Sequence, residues 1–113
     1  MTAEAPPIDV RPEQWQIVCR ILRRHVPGCE VWAFGSRATG TAKPYSDLDL
    51  AIVTDRPLPL SVRAALAEAF SQSDLPWKVD IVDWASTGEP LRRIIEASNV
   101  VVQRGRGEVG YDG

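Results

Sequence analysis

Residues 46–53 read Ser46-Asp47-Leu48-Asp49-Leu50-Ala51-Ile52-Val53. In an extended chain successive side chains point to opposite faces. Leu48, Leu50 and Ile52 then share one face and suit a core, while Asp47 and Asp49 share the other. The segment predicts a strand over about Asp47 to Val53, ended by Asp55-Arg56-Pro57. Upstream, Glu30-Val31-Trp32-Ala33-Phe34 reads as a short strand that ends at Gly35. The connection from Gly35 to Asp47 is too short for a parallel crossover, which needs a dozen or more residues including a full helix. The first two strands are therefore expected to be antiparallel. Downstream, Trp77 to Trp84 (WKVDIVDW) predicts a third strand, and Val100-Val101-Val102 suits a short final one.

Helical patterns alternate with these strands. A first helix is predicted from near Pro12, a residue suited to the first turn. Trp15, Val18, Ile21, Leu22 and Val26 form its apolar stripe, and Pro27-Gly28 stops it. Ser61 to Ser71 predicts a second helix with Ser61 as N-cap, and Pro90 to Ala97 a third, stopping at Ser98-Asn99. The fold class that follows is α/β (α+β), a small mixed β-sheet flanked by helices. With 113 residues there is one domain. It is expected over residues 11–104, with a flexible N-terminal arm at 1–10 and a flexible tail at 105–113.

Composition narrows the function. At 44% apolar and 25% charged residues the chain is ordinary for a globular domain, and no apolar run is long enough to span a membrane. The N-terminus has neither the basic nor the apolar region of a signal peptide, so a cytoplasmic location is expected. A net charge of -2 argues against generic nucleic-acid binding. Two cysteines, Cys19 and Cys29, make no disulfide framework and read as small buried hydrophobes.

Two carboxylates on one strand face repel each other and resist burial. A hard divalent cation such as Mg²⁺ removes that conflict, although a solvated face with two surface aspartates is the plainer account of Asp-x-Asp alone. Two further features bear on it. Phe34-Gly35-Ser36-Arg37 follows a strand directly, and a glycine there admits close backbone approach to a phosphate, with Ser36 adding a hydroxyl. The third strand carries Asp80 in Lys78-Val79-Asp80-Ile81-Val82-Asp83. If it pairs beside the second, a spacing of roughly 4.8 Å lets Asp80 join the other two. Asp83 has the opposite parity and reads as a surface or turn residue.

Together, Gly35-Ser36, ten residues, Asp47-x-Asp49 and the later Asp80 resemble the minimal nucleotidyltransferase (MNT) branch of the DNA polymerase β-like nucleotidyltransferase superfamily. The stretch GSRATGTAKPYSDLDLAIV carries the resemblance, which extends over about residues 12–102. It implies a polymerase β-like core and transfer of a nucleotide from ATP. Gly35, Ser36 and Arg37 would hold the triphosphate. Asp47 and Asp49 would bind Mg²⁺, two ions in all, and Asp80 would complete the metal site and help deprotonate the acceptor. Two cations about 4 Å apart suit an in-line displacement. Stand-alone domains of this kind resemble the antitoxin partners of HEPN-domain toxins, which can receive AMP on a tyrosine. An RNA or small-molecule acceptor, or a non-catalytic module that masks its partner, are the alternatives.

Other residues read more plainly. Arg37 and Lys43 are loop cations that could neutralise phosphate or simply be solvated. Ser46 suits a polar strand start, and His25 a favourable charge at a helix C-terminus. Trp77 and Trp84 read as packing residues. Arg92 and Arg93 are either partner contacts or a solvated helix face.

Overall fold

β2 (Leu48–Val53) is a central strand of a four-stranded sheet, with β1 (Glu30–Phe34) antiparallel on one side and β3 (Val79–Asp83) parallel on the other. β4 (Val100–Gln103) runs antiparallel along the far side of β1, so the order is β3-β2-β1-β4. The computed structural model describes residues 5–105. The expected antiparallel first pair and mixed sheet are both present.

One sheet face carries the main core. Val31, Ala33, Leu48, Leu50, Ile52 and Ile81 are buried there against Val18, Ile21 and Leu22 of α1 (Pro12–His25) and Leu66 and Phe70 of α3 (Leu60–Ser71). The alternation of β2 accounts for this, because its even-numbered residues are the large apolar ones. The opposite face holds a smaller cluster. Phe34 and Ala51 pack there with Ile95 of α4 (Glu89–Ala97), and Trp32 meets Trp84 edge-on with ring centroids 5.4 Å apart. α4 covers only part of that face.

Several local expectations need correction. The connection after β1 contains a one-turn helix, α2 (Ser36–Thr39), too short to show any periodicity. α3 starts at Leu60 after Pro59, with no side-chain cap, so Ser61 is not its N-cap. The third strand is shorter than expected, because Trp84–Ser86 turns into a single 3-10 turn. The arm before α1 is anchored at its end: Ile8 is buried in the main core, and the Asp9 N–H donates to the Arg37 carbonyl at 2.7 Å. Cys19 and Cys29 are free and only half-buried, and burial raises the pKa of both thiols. The tail expected to be flexible lies, beyond Gly105, outside the described residues.

Asp83 is the largest departure. It is a buried ion-pair residue, 7% exposed, with no place on the surface. Its Oδ1 accepts the Leu58 N–H at 3.1 Å and its Oδ2 meets Arg63 Nη1 at 2.7 Å, while Arg63 Nη2 also donates to the Ile81 carbonyl at 2.8 Å. The pair ties α3 to the edge strand. Arg63→Ala should leave a buried carboxylate with one backbone donor and cost about 2–3 kcal/mol, less than for a fully buried pair because Arg63 is partly solvated. Urea denaturation should show the loss, and Asp83→Asn, which still accepts the Leu58 N–H, should lose less.

Candidate active site

Strand register brings the three carboxylates together. Asp49 lies opposite Phe34 of β1 on one side and opposite Asp80 of β3 on the other. Asp47 precedes β2 and has the parity of Asp49. All three belong to the face that α4 leaves partly open, and Asp47 and Asp80 are exposed while Asp49 is half-buried. Among the described residues no salt bridge reaches any of them. Asp49 shows the consequence. Its carboxyl is pushed up from 3.8 to about 6, first by burial and then by the neighbouring charges of Asp80 and Asp47. The group is costly to ionise until a cation arrives.

Gly35 closes the other side of Asp49. It sits at φ +81, and a Cβ built there would land on Asp49 Oδ2. Its ψ of -161 places it in a backbone region essentially confined to glycine. The residue therefore lets the chain turn sharply out of β1 and come flush against a carboxylate. Ser36 and Arg37 then begin α2, and the first N–H groups of such a turn have no acceptor within the helix. The turn and the carboxylates expected to act together do meet.

Arg37 is placed differently from the expectation. It is neither a solvated loop cation nor an open phosphate ligand, being only 5% exposed. Its Nε donates to the Ser46 carbonyl at 2.9 Å and Nη1 to the Asp9 carbonyl at 2.8 Å. Nη2 reaches the Pro44 carbonyl at 3.0 Å and the Lys43 carbonyl at 3.3 Å. The guanidinium also stacks over Trp77, 4.4 Å from the ring centroid. Burial lowers its pKa, and Asp9 and Asp47 act against that shift. One buried cation thus folds the 43–46 segment back onto α2 and fixes the residue before Asp47. The Ser46 hydroxyl helps by accepting the Lys43 N–H at 2.9 Å. Arg92, read as a partner contact or part of a solvated helix face, donates to the Trp84 carbonyl at 2.6 Å, and exposed Arg93 pairs with Glu89 at 3.3 Å.

The donor set fits Mg²⁺ of one particular kind. Among the described residues no three His, Cys, Asp or Glu side chains close a metal shell by themselves. Mg²⁺ is commonly held by one or two carboxylates together with substrate phosphates and water. Asp47, Asp49 and Asp80, without a salt-bridge partner among the described residues, suit a cation that arrives with a polyphosphate.

A glycine turn thus lies against paired carboxylates, with a third carboxylate on the adjoining parallel strand. The nucleotidyltransferase domain model matches residues 13–103, and the chain belongs to that family. It is 54% identical over 96 residues to the Haemophilus influenzae protein named "Probable protein adenylyltransferase MntA", covering 85% of this chain and 84% of that one. It also resembles a crystal structure of a toxin–antitoxin with AMP-PNP, at TM-score 0.68 and 25% identity over 83% of this chain and 76% of that one. The fold recurs in an MNT antitoxin bound to a tri-AMPylated Shewanella oneidensis HEPN toxin, at TM-score 0.62 and 23% identity over 85% and 74% of the two chains. The chain is an enzyme of the nucleotidyltransferase class.

The shifted carboxyl has a measurable consequence. A folded-state pKa near 6 against an ordinary 3.8 means that the folded chain holds the extra proton between those values. Unfolding free energy should therefore fall as pH rises through that window. Asp49→Asn removes the titrating group. Relative to wild type it should be more stable to urea at about pH 7.5 and show little advantage near pH 4. Gly35→Ala should instead lose about 1–3 kcal/mol, the cost of a non-glycine residue in that backbone region, and a thermal melt of the purified variant checks it.

Proposed function

We propose that this chain is an Mg²⁺-dependent protein adenylyltransferase. It moves AMP from ATP to a tyrosine hydroxyl of a HEPN-type toxin, and so serves as the antitoxin. The observation that carries the reading is the packing of the Gly35 turn on Asp49, with Asp80 in register on the far side. The name of the Haemophilus influenzae relative supports protein adenylylation, and the AMP-PNP complex supports ATP as donor. The motif resemblance and the Shewanella oneidensis complex support the HEPN partner.

In this reading the triphosphate lies along the Gly35–Ser36 turn. Backbone N–H groups and the Ser36 hydroxyl orient it, and Arg37 holds the loop that positions Asp47. Asp47, Asp49 and Asp80 would hold Mg²⁺, which when bound supplies neutralisation of the phosphate charge. The tyrosine oxygen forms its bond to the α-phosphorus as the bond to the β-phosphate oxygen breaks, and pyrophosphate leaves. Asp80, exposed at the outer strand, takes the phenolic proton as general base in this reading.

Incubation with α-labelled ATP, Mg²⁺ and a co-expressed HEPN-type protein should label that protein. Asp49→Asn should abolish labelling, whereas a purely masking partner would transfer none even as wild type. Asp80→Asn should bind Mg²⁺–ATP within a few-fold of wild type by calorimetry. Its transfer rate should fall on the order of 10²- to 10⁴-fold, equivalent to about 3–5 kcal/mol of transition-state stabilisation. Equal loss of binding and transfer would assign Asp80 to nucleotide binding instead.

A further inference from the structure

Beside the carboxylates lies an open cleft of about 590 Å³. Asp47 and Asp80 border it, but Gly35, Ser36 and Asp49 are not among its lining residues. The register explains the arrangement. Across the sheet the order runs Phe34, Asp49, Asp80, from β1 to the edge strand β3. The glycine turn thus flanks Asp49 on the β1 side, and the cleft flanks Asp80 on the β3 side. With a triphosphate on the turn, in-line attack has to come from the side away from the leaving pyrophosphate. The cleft lies on the Asp80 side, across the carboxylates from the turn.

Its chemistry suits a particular occupant. Phe70, Leu75 and Trp77 form an apolar floor, of which Phe70 and Trp77 are buried. Tyr45 and Lys78 form an exposed rim, Tyr45 being 80% exposed. Lys78 is the one basic side chain among the lining residues. An aromatic ring can rest on such a floor while its polar tip remains near the carboxylates. The lysine favours a negative charge beside that ring.

We propose that this cleft is the acceptor subsite, taking a protein segment that presents a tyrosine over the Leu75–Trp77 floor with an acidic side chain against Lys78. The inference rests on the protein-acceptor reading above and adds to it the residues that select the acceptor. Tyr45 packs on the segment and Lys78 sets its register, and neither takes part in the chemistry.

Tyr45→Ala and Lys78→Glu alter exposed side chains, and steady-state labelling of the HEPN-type partner with α-labelled ATP measures both. The KM for the partner should rise roughly tenfold, in the range expected for interface anchors. The KM for ATP should stay within about twofold and kcat at saturating partner within about threefold, with Lys78→Arg close to wild type. A rise in the KM for ATP with the partner's unchanged would place the nucleobase in the cleft and overturn the proposal, as would no change in either. If wild type labels no protein, the transfer reading fails by itself. The cleft is then judged by calorimetric titration of the same partner into the Asp49→Asn chain. Lys78→Glu weakening that binding about tenfold supports the docking role, and unaltered or absent binding overturns it.

Discussion

Three carboxylates at one end of a sheet face set the terms for everything around them. They come from two strands whose parallel register places Asp80 beside Asp49, with Asp47 two residues upstream. Asp49 is half-buried, and burial first, then the charges of Asp80 and Asp47, disfavour its ionised form. Among the described residues no salt bridge reaches the three carboxylates, and the carboxyl of Asp49 is pushed up to about 6. The site is therefore built to a deficit of positive charge. In the proposed function a polyphosphate arriving with its metal ion would correct the deficit, and its binding would be linked to ionisation of Asp49 by the same electrostatics.

The positive charge that the sequence places nearest has been put to another use. Arg37 follows the glycine turn, yet its guanidinium is turned inward onto backbone carbonyls of residues 9, 43, 44 and 46. A buried cation with this many acceptors is strongly directional, because each lost bond would leave a desolvated group. The 43–46 segment has no regular structure of its own, so these bonds take the place of a helix or strand in fixing its path. The arm before α1 is held by the same residue, through the Asp9 carbonyl and the Asp9 N–H. The path of the chain into Asp47 is thus held by a buried side chain that does not itself face the carboxylates' open side.

The far end of β3 follows the same economy. Asp83 is also a carboxylate in an apolar strand, but the opposite parity sends it into the main core side, where Arg63 and the Leu58 N–H neutralise it. One strand thus carries an unpaired carboxylate toward the site and a paired one away from it. The division leaves the cleft beside Asp80 with the carboxylates of Asp47 and Asp80 and a single lysine among its lining residues.

The alternation of Leu48, Leu50 and Ile52 with Asp47 and Asp49 determined the central strand and which of its faces is buried, because side chains in a strand alternate regardless of context. The short link from Gly35 to Asp47 determined an antiparallel first pair, since a parallel one cannot be closed in so few residues. Asp47 and Asp49 were legible as a pair for the same local reason, whereas grouping them with Gly35, Ser36 and Asp80 rested on the motif's resemblance to a known family. The tertiary structure decided what depends on neighbours distant in the chain. α2 and the start of α3 carry no periodicity, and packing positions them. Whether Arg37 faces solvent or carbonyls depends on where residues 9 and 43–46 come to lie, and whether Asp83 is exposed depends on Arg63 from another element. The Asp49–Asp80 register depends on how β3 returns after α3, and the cleft beside it exists only once α3 and the edge strand have packed together. Local alternation and loop length act within a few residues and can be read in order along the chain, whereas burial and charge pairing are properties of the assembled fold.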